Sequence, residues 1–180
     1  MNKIAVFAGG CFWCVEHDLK ALSGVISAVS GYSGPKSEIP PSYENHKGYR
    51  EAVLVTYDPG QTSYKKLCQF FLDHIDPTDS GGQFHDRGEA YKTAMYYADE
   101  TEQEIAQSLI NELDESGLFD LKIAVDVIPL PTFYNAEDYH QDYADKNPVR
   151  YGAYAMGSGR VSFVAQTCDV REQKKIHWKD

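Results

Sequence analysis

Two thiols set the chemistry: Gly9-Gly10-Cys11-Phe12-Trp13-Cys14-Val15-Glu16 places a Cys-x-x-Cys pair behind two glycines and around two aromatics. A thiol at a helix start meets unpaired backbone N–H groups and the positive end of the helix dipole. Both lower its pKa, and the thiolate is the form that attacks. Four cysteines in 180 residues are too few for a disulfide scaffold. In a cytosolic chain, Cys-x-x-Cys then means redox chemistry or metal. A structural zinc would need two more ligands at paired spacing. None follows: Cys68 falls on a helix's apolar stripe, Cys168 stands alone, and His17, His46, His74, His85 and His177 show no ligand spacing. No metal or other cofactor is expected.

For Cys11 to stand at such a junction, a strand must end and a helix begin around it. Lys3 to Ala8 reads as a strand ended by Gly9-Gly10, and Phe12, Val15, Leu19 and Leu22 then recur at helical spacing up to Ser23-Gly24. Val25 to Ser30 is a second strand. A Gly, Ser and Pro-rich loop runs to about Ser42, and Ala52 to Tyr57 is a third strand closed by Asp58-Pro59-Gly60. Tyr64, Leu67, Cys68, Phe71, Leu72 and Ile75 mark one helix face. Thr78 to Glu89 is a polar loop, the kind of segment that carries function. Lys92 to Tyr97 reads as a strand, a helix starts near Asp99 and ends at Gly117, and Lys122 to Ile128 is the last strand. Ala136 to Lys146 is a short helix stopped at Asn147-Pro148. The interleaving predicts an α+β fold: a two-layer sandwich with a ferredoxin-like mixed sheet and helices packed on it. The reading gives a single catalytic domain over 1–180 with an irregular C-terminal tail from about residue 149.

Composition narrows the class. Hydrophobic residues at 42% and charged residues at 24% describe an ordinary globular chain. A net charge of -10 repels phosphate backbones and anionic lipid, so no nucleic acid and no membrane partner is expected. No apolar run approaches the ~20 residues of a membrane span. The apolar stretch Ile4 to Ala8 is too short for a signal-peptide core, which points to a cytoplasmic monomer.

Several further motifs stand in order along the chain. They are Ser30-Gly31-Tyr32-Ser33-Gly34, Arg50-Glu51-Ala52-Val53, Tyr57-Asp58-Pro59 and Asp76-Pro77-Thr78. Gly81-Gly82-Gln83-Phe84-His85-Asp86-Arg87-Gly88, Tyr134-Asn135-Ala136-Glu137-Asp138-Tyr139-His140-Gln141 and Lys146-Asn147-Pro148 follow. With Gly-Cys-Phe-Trp near the amino terminus, the chain resembles the A-type peptide methionine sulfoxide reductases over nearly its whole length. The resemblance implies reduction of the S epimer of methionine sulfoxide, free or in oxidised proteins, through a Cys11 sulfenic acid and an intramolecular disulfide that thioredoxin reopens.

Residue by residue, the resemblance makes Cys11 the nucleophile and has Phe12 and Trp13 cradle the S-methyl group. Glu51 becomes the acid at the sulfoxide oxygen, assisted by Tyr43 and Tyr91. Asp86 supports the site, Tyr151 is a further active-site tyrosine, and His140 is a candidate support. Each has a plainer alternative: core packing for Phe12 and Trp13, a solvated strand-end charge for Glu51, a turn cap for Asp86, surface packing for Tyr151. The chain departs from many relatives in carrying Cys14 where they have Gly, and Gly152 where the first tail cysteine is usual. Cys14, three residues past Cys11, lies within adjustment of disulfide geometry, with Cβ atoms about 5–6 Å apart. Cys168 is the rival resolving thiol, and a relay through both is a third route. The competing reading, a glutaredoxin- or thioredoxin-like thiol-disulfide oxidoreductase, has no use for Glu51 or the Gly81–Gly88 loop.

Overall fold

The computed structural model describes residues 1–179. Strand β1 (Lys3–Ala8), helix α1 (Phe12–Lys20), strands β2 (Val25–Gly34) and β3 (Arg50–Tyr57), helix α2 (Tyr64–Asp73) and strand β6 (Ala94–Tyr97) form the central β-α-β-β-α-β unit. Between α2 and β6 lies a two-residue hairpin, β4 (Gly82–Gln83) and β5 (Asp86–Arg87). Helix α3 (Glu100–Glu115), strands β7 (Asp126–Pro129) and β8 (Thr132–Asn135), and helices α4 (Tyr143–Lys146), α5 (Pro148–Gly157) and α6 (Arg160–Lys174) complete the order.

The sheet runs β7-β6-β1-β3-β2-β8. Its four inner strands pair antiparallel, β6 to β1 to β3 to β2, which is the ferredoxin-like order. Crossing over through α3 makes β7 parallel to β6, so the whole sheet is mixed. Side-chain alternation splits it into two apolar faces. Ala5, Phe7, Val53, Val55 and Met95 point towards α1, α2 and α3, where Val15, Leu19, Leu67, Phe71, Leu109 and Leu113 cover them. Val6, Ala8, Ala52, Ala94 and Tyr96 form the smaller opposite face under Leu130 and Phe133. Glu51 has the parity of Val53 and Val55, so its carboxyl is delivered to the helix side.

Boundaries differ from the sequence reading where tertiary pairing decides them. β2 runs on to Gly34 because β3 and β8 flank it along that stretch. Lys122 to Val125 is not strand, and β7 begins only where β6 offers a partner at Asp126. Of the expected helix from Ala136, only Tyr143–Lys146 forms.

The largest difference is the tail, expected irregular and in fact helical in α5 and α6. Asn147-Pro148 stops one helix and starts the next. Proline disfavours helix in the residue before it but suits the first helical position, and Asn147, at φ -133°, caps both α4 and α5.

Candidate active site

Cys11 is the N-cap of α1, with its carbonyl accepting from the Cys14 and Val15 N–H groups at 3.2 and 3.4 Å. Gly10 makes the turn from β1. Its φ is +79°, and a Cβ there would stand 2.5 Å from Gln83 Cβ, so both conformation and space exclude a side chain. Gln83 is itself held from two sides. The Asp76 N–H donates to its Oε1 at 2.9 Å, and its Nε2 donates to the Asp76 carbonyl at 2.7 Å. The polar loop is thus clamped against the Cys11 turn by an amide that sequence pattern alone did not single out.

A cavity of about 80 Å³ opens on Cys11 and is lined by Phe12, Trp13, Tyr43, Glu51, Asp86, Tyr91 and Tyr154. A single water needs about 10–15 Å³ of such space, so the cavity has room for a small group such as a methyl sulfoxide. The structure therefore brings together seven of the nine site residues read from the sequence. Cys14 and Tyr151 lie outside the lining. Tyr151 packs its ring on His17 at 5.1 Å and faces Cys14. The tyrosine that α5 contributes to the cavity is Tyr154, one turn further along, whose hydroxyl bonds the Asp86 carboxylate.

Glu51 is not a solvated strand-end charge. It is 3% exposed, and its Oε2 accepts the Phe12 N–H at 3.0 Å. Burial pushes its carboxyl up to about 8, against the pull of that N–H, and the neighbouring Asp86 and Cys14 push the same way. It is a carboxylic acid at neutral pH. Burial also drives the Cys11 thiol well above its ordinary range, reinforced by Cys14 and Glu51, while the Tyr154 hydroxyl pulls it down. The thiolate bias expected from the helix start is thus outweighed at rest. Cys14 goes the other way, lowered first by the Cys11 thiol and then by the Arg160 charge and the Tyr151 hydroxyl, against its own burial.

The aromatic wall is braced from behind. Trp13 stacks on Tyr143 at 3.8 Å between ring centroids and donates its Nε1–H to His140 Nδ1 at 3.0 Å. His140 is 2% exposed, and burial lowers its pKa, so the ring is a neutral acceptor that fixes the indole. Tyr43 stands over the same imidazole at 4.7 Å, its N–H held by Glu137 Oε1 at 2.9 Å. Phe12 serves both readings at once: it is 1% exposed in the core and still forms cavity wall.

Against known proteins, residues 3–172 match the peptide methionine sulfoxide reductase family. The chain belongs to that family. Peptide methionine sulfoxide reductase MsrA of Bacillus licheniformis is 46% identical over 169 residues, 92% of this chain and 93% of the relative. The Bacillus subtilis MsrA is 43% identical, covering 92% and 95%. Among solved structures, Mxr1 from Saccharomyces cerevisiae in reduced form superposes with a TM-score of 0.75 at 30% identity, covering 82% of this chain and 87% of that one. Methionine sulfoxide reductase A of Corynebacterium diphtheriae gives 0.71 at 28%, covering 82% and 76%. Membership makes the chain a peptide-methionine (S)-S-oxide reductase, an enzyme that reduces methionine sulfoxide. No described helix of this reductase is long and apolar enough to cross a membrane.

Proposed function

We propose that the cavity on Cys11 binds the sulfoxide end of an S-epimer methionine sulfoxide, free or protein-bound, with Cys11 as nucleophile and Glu51 as general acid. The observation that carries this reading is a buried carboxyl, its pKa raised by that burial, and a buried thiol opening on one small aromatic cavity. Cys11 Sγ attacks the sulfoxide sulfur and the S–O bond breaks. Glu51 gives its proton to the departing oxygen. Water then attacks Cys11 Sγ and the S–S bond to the substrate breaks, so methionine leaves reduced by two electrons and Cys11 is left as a sulfenic acid. Phe12 and Trp13 offer the methyl group an apolar wall, and the Tyr43 and Tyr91 hydroxyls offer the oxygen donors. Cys14 then closes a disulfide on Cys11, and a thioredoxin-type dithiol in the cytoplasm reopens it. The enzyme acts as a single domain and a monomer.

A cavity with the methyl wall on one side and the acid on the other accepts one arrangement about the sulfur, and its mirror image exchanges methyl and oxygen. With dithiothreitol as reductant, the S epimer is expected to yield methionine and the R epimer none above background. Comparable yields from both would overturn the binding mode.

Cys168 is exposed on α6, eight residues past Arg160 and so about 12 Å along the helix, and the intervening turns would have to unwind for it to reach Cys11. Helical ordering of the tail thus favours Cys14 as the resolving thiol.

A further inference from the structure

Arg160 is a cation without enough negative charge around it. It is 5% exposed, and its Nη1 donates to the Gly9 carbonyl at 3.3 Å. Its Nη2 reaches the Asp18 carboxylate only at 3.5 Å, and its Nε finds no hydrogen-bond partner among the described residues. The Phe84 ring closes another side, with the guanidinium carbon 5.7 Å from its centroid. Burying a guanidinium costs several kcal/mol, and one carboxylate at that distance recovers little of it. The missing partner is set by helix geometry. Cys11, Cys14 and Asp18 follow one another at i, i+3 and i+7 on one face of α1. A side chain that touches the carbonyl before this stretch and the carboxylate at its end runs alongside Cys14.

We propose that Arg160 is a positioning residue for recycling: it holds Cys14 as the thiolate that attacks the Cys11 sulfenic acid. The proposal rests on Cys14 being the resolving thiol. In that step the Cys14 sulfur forms the S–S bond and the Cys11 S–O bond breaks. The hydroxide leaves as water, with a proton from solvent or from the reprotonated Glu51. The nucleophile must be anionic, and a guanidinium lying along the same face of α1 favours the anion. The groups facing Cys14 are Cys11 and Asp18 of α1, Glu51 of β3, Tyr151 of α5 and Arg160 of α6. Of these only Arg160 is positive. The Cys14 pKa is lowered, first by the Cys11 thiol and then by the Arg160 charge, with burial and Asp18 opposing. Division of labour follows: the surroundings disfavour the anion at Cys11 and favour it at Cys14.

The test uses reduced full-length protein given one equivalent of methionine sulfoxide, quenched with an alkylating agent at successive times across pH 5–9, with peptides mapped for disulfides. For the wild type, Cys11–Cys14 closure is expected to gain rate with pH through a midpoint below that of an ordinary thiol. Arg160→Gln should move the midpoint up by about one pH unit or more, and Arg160→Lys should restore part of the difference. Asp18→Asn should move it down. That variant, at a side chain only partly open to solvent, decides the matter if Arg160→Gln does not fold. Midpoints that stay with the wild type in Arg160→Gln, or in Asp18→Asn where it alone folds, would overturn the role of Arg160. A wild-type Cys11–Cys168 link with Cys14 alkylated would instead overturn the assignment of the resolving thiol beneath it.

Discussion

In Cys11→Ser, methionine release from methionine sulfoxide is expected to fall by more than about 10⁴-fold, the scale seen when a nucleophile is removed from an assembled site. Serine is close to isosteric, so the N-cap geometry, the hydrogen bond from Phe12 N–H to Glu51 and the aromatic wall should all survive, and circular dichroism should match wild type. What disappears is the sulfur. A hydroxyl has almost no anionic form near neutral pH and cannot become a sulfenic acid, so neither the attack nor the later disulfide has an atom to occur on. The check is a single-turnover assay without added reductant. One methionine per wild-type chain and none per variant is the expected outcome, and a residual stoichiometric burst in the variant would remove Cys11 from the role.

Glu51→Gln should lower the same single-turnover rate by about 10²-fold or more. The amide keeps an oxygen to accept the Phe12 N–H and an N–H₂ to polarise the sulfoxide, so binding and fold should be retained. It has no proton to give up. The variant also alters the pH profile in a direction that can be worked out. As the proposed acid, Glu51 would act in its protonated form, which is populated below about 8 and lost above it, so wild-type reduction should decline as pH rises through that value. The glutamine variant should lack this limb. The same shift enters stability. Between the ordinary carboxyl value of 4.5 and about 8 the folded state holds a proton that the unfolded chain releases, so this group's contribution falls as pH rises through that window. A wild-type-like single-turnover rate in Glu51→Gln would place the acid elsewhere.

The fold was legible where local period and tertiary role agree. β1, α1, β3, α2 and α3 carry apolar stripes facing one core, and Gly10 and Asp99 mark a turn and a helix cap by residue type alone. Legibility failed where a long-range partner decides. Strand β8 exists because β2 has an open edge, which four residues of Thr-Phe-Tyr-Asn do not announce. In the tail, one missed inference caused another. Without helix α5 there was no spacing to relate Tyr151 to Tyr154, although at i and i+3 the two share a face, one turned to Cys14 and the other to Asp86. Proline at the first position of α5 was the available signal. Arg160 and Gln83 carried none: their roles come from contacts 151 and 7 residues away, to a carbonyl and to a loop backbone.

The stacked pair of Trp13 and Tyr143 also gives the enzyme an optical reporter. The chain has two indoles. Trp13 is the wall of the cavity, with an imidazole on its N–H and the Tyr154 ring edge-on at 6.0 Å. Trp178 sits far along the tail under the Arg171 guanidinium, 4.7 Å from its ring, with its N–H on Asp73. In a Trp178→Phe background the indole emission comes from Trp13 alone, on the wall of the cavity. Its emission maximum and quenching by neighbouring sulfur then register cavity filling, sulfenic acid formation and disulfide closure as successive phases in stopped flow, without a dye and at the native concentration of the protein.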